Sequence, residues 1–432
     1  MIRTYGDALK FLSNLEFFGM KLGLEQTRLL AKFAGNPQNK IRFIHVAGTN
    51  GKGSVCSMLS SSLSNAGFKT GLYTSPHLIS PRERFKIDGI AISEKEFAKF
   101  ARITEEAVEE LKKNGGQATY FEATTVMALL YFKAKKTDFV IWECGMGGRL
   151  DATNIVEPEL SIISSIGKDH CNYLGSAIAK IAYEKAGIIK KGKTVFCGKN
   201  IKTQARNKIK SVAKKLSSPV IFCDKEASSL RHGKFSNRKF DGQLLKFDGR
   251  NILTYFPGLH QKRNISLVFN VLKYLSDKYN FNFDRAIEGL SHACLPARMT
   301  VTPDLSLVDG AHNPQAVEGL VENLKFYFKG ESFCIIFGCL KDKDAKTMLN
   351  KLSTVAKEFR FVPILASRKA YEPKDLKHIA ERTGLPAKAY ESLGSALSEK
   401  SERKVIAGSF YLAGEALKHY FTGEEIINWR RK

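Results

Sequence analysis

The chain has no apolar run long enough to cross a bilayer, so no membrane-spanning helix is expected. Its first residues, MIRTYGDALKFLSNLEFFGM, read as an amphipathic helix with an acidic side chain and no small-residue cleavage pattern, which argues against an export leader. No two of the eight cysteines (56, 144, 171, 197, 223, 294, 334 and 339) form a C-x-x-C pair. Most sit in apolar, strand-like runs such as TVFCG and VIFCD, so they read as buried reduced thiols of a cytoplasmic protein. Metal-binding and disulfide frameworks are disfavoured. Acidic side chains are the scarce charge, 43 Asp and Glu against 68 Lys and Arg, for a net of +25. The shortage is uneven: residues 190–215 hold ten basic side chains and no acidic one, whereas 297–432 carries a net of only +5. Such an excess suggests nucleic acid. Against that, the lysines lie on polar faces without interleaved aromatics or a reading motif. A solvated basic face that attracts small anions fits better, so neither nucleic acid nor a membrane is the expected partner. No short-period repeat is visible.

What is present suits two cored domains: 432 residues, 43% hydrophobic and 10% aromatic. Nearly continuous apolar runs at Ile41–Ala47, Thr70–Ser75, Asp138–Cys144, Leu160–Ile166, Thr194–Cys197 and Val220–Cys223 read as strands. Helical patterns at 1–34, Val55–Ala66, Glu94–Lys113, Thr119–Lys135 and Ser176–Ala186 lie among them. That alternation predicts a mostly parallel sheet covered on both faces, with Lys86–Ile92 as an edge hairpin. From 228 to 256 short alternating stretches predict antiparallel hairpins, followed by helices at Asn264–Lys278 and Phe283–Ser291. Residues 294–298 read as a linker. After it, strands at Leu305–Val308, Phe333–Phe337, Phe359–Leu365 and Val405–Ala407 alternate with helices at Pro314–Phe328, Ala345–Lys357, Lys374–Thr383 and Phe410–Tyr420. The expected division is 1–295 and 296–432, the second a smaller Rossmann-like α/β unit.

Candidate chemistry collects where strands end, as ligands do in open α/β sheets. The strand Ile41–Ala47 breaks into Gly48, Thr49, Asn50, Gly51, Lys52, Gly53 and Ser54, and a helix follows. Strand, Gly-rich turn and helix is the setting of a phosphate loop. Its glycines let backbone N–H groups converge, and the helix N-terminus adds a positive dipole end. Lys52 can reach terminal phosphates and the Ser54 hydroxyl can ligate magnesium. The match is imperfect: Val46 holds the first glycine position and Gly53 follows the lysine, so the hydroxyl arrives one residue late. A Gly-rich turn with no ligand is the plain alternative.

Glu143, in WECGMGGRLDATN, tips a buried strand and is well placed to hold a magnesium ion beside such a loop; the alternative is a solvated strand end. GMGG is not read as a dinucleotide fingerprint, because a polar loop follows it instead of a helix. His170, in SSIGKDHCNYLG, also follows a strand, as a metal ligand or a structural histidine. Lys185, in AYEKAG, is by itself a helix-end lysine.

Taken in order, the segments HVAGTNGKGSV, TSPHL…RER, FEAT, ECGMGGRLDATN, SIGKDH, IAYEKAGI, FPGLHQKRN, LPAR, LVDGAHNP, GCLKDKD and GSFYLAGEAL resemble the folylpolyglutamate synthase/dihydrofolate synthase family of the Mur-ligase superfamily, bacterial bifunctional type. The likeness spans almost the whole chain. It also accounts for the odd loop, since GTNGKGS is that family's own form. The fold implied is a P-loop-type α/β unit with a small antiparallel sheet, joined to a second, Rossmann-like α/β unit. Domain 1–295 would bind ATP and the pterin, and 296–432 would bring glutamate.

The resemblance also implies roles. Residues Gly48 to Ser54, with Asn264 and Arg298, would bind ATP. Asp309 and His312 would approach the nucleotide or the incoming glutamate. Ser54, Glu143 and His170 would hold Mg²⁺, two ions in all, with Lys185 as a carbamate. Lys52, Glu143, His170 and Lys185 would form the catalytic set. Leu24, Ser75, Pro76, His77, Arg82, Phe121, Asp151 and Ala152 would frame the pterin. The implied reaction joins L-glutamate to dihydropteroate, to a reduced folate, or to both, through an acyl phosphate, in a monomer. A single activity, or a sister amino-acid ligase of the superfamily, is the alternative. One departure stands out: the family's Pro-Gly-Arg-Leu-Glu appears as Pro296-Ala297-Arg298-Met299-Thr300, without the glycine or the acid.

Overall fold

The computed structural model describes residues 2–16, 23–169, 175, 177–236, 239–365, 369–401 and 403–430. The first lobe is built on strands β1 (Phe43–Ala47), β2 (Thr70–Tyr73), β3 (Phe85–Ile87), β4 (Ile90–Ala91), β5 (Phe139–Glu143), β6 (Pro158–Ile163), β7 (Val195–Cys197) and β8 (Val220–Phe222). They pair in the order β4-β3-β2-β5-β1-β6-β7-β8, all parallel except the antiparallel edge hairpin β3–β4. The central strands β1 and β5 are buried along their whole length, as expected when helices cover both faces of a sheet.

Side chains alternate between the two faces with the strand period of two. Ile44, Val46, Ile141 and Ile162 pack with α3 (Lys52–Asn65), α8 (Gln261–Tyr279) and α9 (Phe283–Glu288). Phe43, Val140 and Trp142 pack with α1 (Tyr5–Glu16), α2 (Glu25–Phe33), α4 (Glu94–Lys113) and α5 (Tyr120–Ala134). Helices α6 (Ile178–Ala186) and α7 (Thr203–Lys215) cover the β7–β8 edge. Helix α7 lies inside the basic stretch and was not expected; it buries Ala205, Ile209 and Ala213 and turns its lysines outward.

The expected hairpins are present. Strands β9 (Ser228–Arg231), β12 (Gln243–Phe247) and β13 (Arg250–Thr254) form one antiparallel sheet, and β10 (Phe235–Ser236) with β11 (Lys239–Phe240) a second.

The second lobe carries β14 (Thr300–Val301), β15 (Leu307–Val308), β16 (Phe333–Phe337), β17 (Ala356–Phe361), β18 (Ala387–Ala389) and β19 (Lys404–Ala407), ordered β14-β15-β19-β16-β17-β18 and parallel except for β14. Its helices are α10 (Pro314–Tyr327), α11 (Ala345–Leu352), α12 (Pro373–Ala380), α13 (Leu393–Ser398), α14 (Phe410–Tyr420) and α15 (Gly423–Ile427). Two expectations need correction here. Helix α11 stops at Leu352 and does not reach Lys357, because the following strand begins at Ala356. That strand ends at Phe361, short of Leu365, since Pro363 has no N–H to donate to the ladder.

The loop between β2 and β3 crosses from one lobe to the other. Leu78 and Ile79 pack into the core formed by Leu412, Ala416 and Ile426 of the second lobe. The contact is so close that a Cβ on Gly414 would stand 2.4 Å from the Leu78 carbonyl oxygen.

Candidate active site

The phosphate loop leaves β1 at Ala47, and α3 starts at Lys52. Gly51 takes a left-handed φ of 83°, which glycine adopts without strain. The strand end after β6 braces the loop. Thr49 N–H donates to Ser165 O at 3.0 Å and Asn50 N–H to Ser165 Oγ at 2.9 Å. The hydroxyls of Ser164 and Ser165 both donate to Asn50 O, at 2.8 and 2.9 Å. Gly48 is pressed so tightly on this brace that a Cβ there would fall 1.9 Å from Ser164 Oγ. With glycine at its N-cap, α3 has no side-chain cap, which leaves its leading N–H groups to an anion.

Two lysines converge on one carbonyl of this loop. Lys52 Nζ donates to Gly48 O at 3.0 Å, and Lys185 Nζ donates to the same oxygen at 2.9 Å. Lys185 is buried, and burial together with the Lys52 charge brings its pKa down to about 7. Its amine is therefore partly neutral at physiological pH.

Glu143 closes the corner from β5. It is buried and accepts the Ser75 N–H at 3.1 Å. Burial raises its pKa to about 7, against the opposing pull of Lys52, the Ser75 N–H, Arg298 and Arg84. A Cβ on Gly53 would lie 4.0 Å from both Glu143 Oε1 and Arg298 Nη2, so helix N-terminus, carboxyl and guanidinium meet in one place. Arg298 reaches there from beyond the linker. Its Nη1 donates to Ala297 O at 2.8 Å, and its guanidinium stands 5.2 Å over the Phe410 ring. Ala297 occupies a left-handed φ of 55°, where the resemblance places a glycine, and its methyl is fully buried.

The second lobe supplies the opposite wall. His312 bonds Gly310 O through Nδ1 at 2.9 Å, and its Nε2 stands 3.6 Å from Asp169 Oδ2. Asp169 also receives Lys343 Nζ at 2.6 Å and Asn313 Nδ2 at 3.0 Å, while Asn313 Nδ2 reaches Asn50 Oδ1 at 3.1 Å. Sequence reasoning missed Asp169, Asn313 and Lys343. The signal lies in SIGKDH and DGAHNP, where the neighbouring His170, Asp309 and His312 are the residues singled out, and in GCLKDKD, from which none is.

At the far end the walls turn aromatic. The Phe121 ring lies against Gly145, where a Cβ would come within 2.5 Å of Cζ. Asp151 is buried and accepts the Met146 and Thr153 N–H groups at 2.7 and 3.0 Å, which fixes the backbone beside Ala152. Ser75, Pro76 and His77 form the adjoining wall, with the Ser75–Pro76 peptide cis. Arg84 Nε donates to His77 Nδ1 at 2.9 Å; burial and the Arg84 charge keep that imidazole neutral. These parts line one cleft of about 1390 Å³.

Some expected residues stand elsewhere. Arg82 turns away from the cleft, donating to Ile92 O at 2.8 Å and pairing with Glu424 near the C-terminus; Arg84, two residues on, takes the wall. Asp309 is half-buried beside Arg298 with its oxygens accepting the Met299 and Ala311 N–H groups at 2.9 and 2.8 Å, so it shapes the turn and does not line the cleft. Ser54 is buried in the first turn of α3, and Asn264 lies beneath Gly51, 3.0 Å from where a Cβ would be. Leu24 is off the wall, its carbonyl accepting the Arg28 N–H at 2.9 Å. His170 lies outside the described residues.

Comparison with known proteins gives the family. Residues 46–272 match the Mur ligase middle domain, and 297–410 match the Mur ligase glutamate ligase domain. A Bacillus subtilis dihydrofolate synthase/folylpolyglutamate synthase is 37% identical over 375 residues, covering 84% of this chain and 85% of its own. An Escherichia coli protein of the same name is 32% identical over 429 residues, covering 98% of this chain and 95% of its own. Among solved structures, a Thermotoga maritima folylpolyglutamate synthase superposes with a TM-score of 0.82 at 31% identity, over 97% of each chain. An Escherichia coli protein solved in complex with DHPP and ADP gives 0.81 at 28% identity, over 96% of this chain and 97% of that one.

Proposed function

Because the chain belongs to the Mur ligase family of ATP-dependent ligases, we propose that it joins L-glutamate to the carboxylate of a pterin substrate, dihydropteroate or a reduced folate, through an acyl phosphate. One observation carries this reading. Lys52, Lys185, Glu143 and Arg298 converge on the phosphate loop, at one end of a cleft whose other end is walled by Phe121 and Gly145.

ATP phosphates would rest on the Gly48–Ser54 loop at the head of α3, with Asn264 below Gly51. The pterin would lie along Phe121, Asp151 and Ala152, its carboxylate toward Glu143. That carboxylate is a poor electrophile, so it takes the γ-phosphoryl group and ADP leaves. The glutamate amine then attacks the acyl carbon and phosphate departs. Lys52 and Arg298 offset the charge of two anions brought together, and no side chain need act as a covalent nucleophile. Residues 296–432 would present glutamate beside His312, and closure of the two lobes would keep water from the acyl phosphate.

The donor set fits magnesium. Among the described residues no three His, Cys, Asp or Glu cluster as a full ligand cage. Mg²⁺ needs none, since it keeps waters and takes one or two carboxylates plus substrate phosphates. Glu143 would hold it, with Lys185 once carbamylated; the partly neutral amine of Lys185 supports that modification. When bound, the ion neutralises phosphate charge and polarises the transferring group. We take the enzyme to be a cytoplasmic monomer: one chain supplies both cleft walls, and the seven described cysteines are all free.

The test is ADP release by purified protein with ATP, Mg²⁺ and glutamate, offering dihydropteroate or tetrahydrofolate separately. Glutamate-dependent turnover with at least one is expected, and the two arms decide between single and double activity. No glutamate-dependent turnover with either would overturn the proposal.

A further inference from the structure

The cleft continues past the phosphate loop. From Gly53 it follows one face of α3 toward the β3–β4 hairpin and the C-terminal residues Trp429 and Arg430. That face carries Ser57, Ser60, Ser61 and Ser64, small side chains at helical spacing that keep the branch open. Three of their hydroxyls are spent on the surrounding frame. Ser57 donates to Cys294 O at 2.9 Å, Ser61 to Gly289 O at 2.8 Å and Ser64 to Asp88 Oδ1 at 2.8 Å. Neither ATP on the phosphate loop nor a pterin beside Phe121 would occupy this branch.

One residue in it breaks the pattern of the sheet. Lys86 pairs directly with Leu72 across β3 and β2, so both side chains project from the face that α3 covers. Its neighbours Phe85 and Ile87 belong to the opposite face. The α3 face is otherwise apolar here, with Leu72, Phe139 and Ile141. Lys86 lines the cleft, yet among the described residues its ammonium has no hydrogen bond and no ion pair. The nearest acidic influence, Glu83, is engaged by the N–H groups of Leu78, Ile79 and Ser80 at 3.0, 2.8 and 2.8 Å. Asp88 is held by Ser64 and by the Thr70 N–H at 2.9 Å. Arg430 adds a second positive charge beside Lys86. A desolvated cation without a counter-ion is costly, and an anionic ligand relieves the cost.

We propose that this branch binds the oligo-γ-glutamyl tail of a folate substrate, with Lys86 and Arg430 pairing with the tail carboxylates. The proposal rests on the folate-ligase reading above and narrows it to pterins that already carry several glutamates. The protein fixes the span from the pterin wall to Glu143, whereas the tail lengthens with each turnover. Surplus residues must leave that line beside the reacting corner, and the branch opens there, at Gly53. From Ser57 to Asn65 it runs about 12 Å, at about 1.5 Å per helical residue. Each added residue brings one more carboxylate, the group that an unpaired lysine and an arginine recognise.

The experiment compares KM for tetrahydropteroyl monoglutamate and triglutamate in the full-length enzyme. Wild type is expected to favour the triglutamate. In Lys86→Met the ratio of triglutamate to monoglutamate KM should rise about tenfold, the equivalent of about 1.4 kcal/mol. Lys86→Arg should restore it, and Arg430→Ala, at an exposed position, should raise it in the same direction. An unchanged ratio in both Lys86→Met and Arg430→Ala overturns the tail site. Should Lys86→Met fail to fold, Arg430→Ala decides alone, a raised ratio supporting the site and an unchanged one overturning it. Wild type that glutamylates dihydropteroate but neither folate overturns the tail site only; wild type that glutamylates no pterin overturns the ligase reading itself.

Discussion

Glu143 and Lys185 bear opposite charges in water, yet burial brings both to a pKa of about 7. For Glu143 the folded value lies above the ordinary 4.5. Below pH 4.5 the carboxyl is protonated in both folded and unfolded chains. Between 4.5 and 7 the folded chain binds more protons, so this group's contribution to stability falls as pH rises. Above 7 the fold carries the full burden of a buried carboxylate. Glu143→Gln should therefore raise the melting temperature of the ligand-free protein at pH 8 and leave it nearly unchanged at pH 4. The same substitution should lower turnover at least about a hundredfold, the scale of losing a preorganised electrostatic group. Thermal denaturation at the two pH values, with steady-state rates, checks both. Glu143 was legible in the sequence because a polar side chain at the end of an apolar strand stands out; Lys185 ends a helix, and only the resemblance singles it out. Arg82 and Arg84 were not separable. They sit two apart on a tight turn, and local backbone geometry decides which one faces the cleft.

Strands and helices followed from apolar periodicity, and most began and ended within a few residues of expectation. The misses have local causes. Helix α11 was extended because Val355 and Ala356 continue its apolar pattern, although they already belong to the turn and strand that follow. Helix α7 was hidden by its lysines, which outnumber the three small apolar residues it buries. The β2–β3 loop reads as an ordered connection, but nothing local says that Leu78 and Ile79 complete the core of the other lobe. Through that contact the loop carrying Ser75 and His77 is seated on α14. Gly414→Ala would drive a methyl against the Leu78 carbonyl, a backbone atom that cannot rotate aside. The expected result is a marked fall in kcat with a normal circular dichroism spectrum. Wild-type kcat would show that the seating of this loop does not govern the site.

The two lobes meet through polar side chains as well as through that loop. Asp169 and Asn313 are 144 residues apart in sequence and bonded in space, and Arg82 pairs with Glu424 342 residues away. Such pairs leave no periodic trace, which is why the contacts between the lobes are not legible in the sequence. The Lys343–Asp169 pair is nearly buried, with side-chain exposures of 6% and 9%. Removing one partner of a buried pair costs about 3–5 kcal/mol, because the other charge is left behind. Lys343→Met should therefore loosen the contact between the lobes and enlarge the radius of gyration measured by small-angle scattering; an unchanged radius would assign that contact to the remaining pairs. The basic excess needs no second partner in this account, since ATP, glutamate and a glutamylated pterin are all anions.

The central claim concerns a bond: a pterin carboxylate is phosphorylated by ATP before glutamate attacks. It is tested most directly by labelling that carboxylate with oxygen-18 and following the label through one turnover with ATP, Mg²⁺ and glutamate. An acyl phosphate transfers one labelled oxygen to the released phosphate, and mass spectrometry should find it there in step with amide formation. Unlabelled phosphate accompanying amide formation would contradict the account.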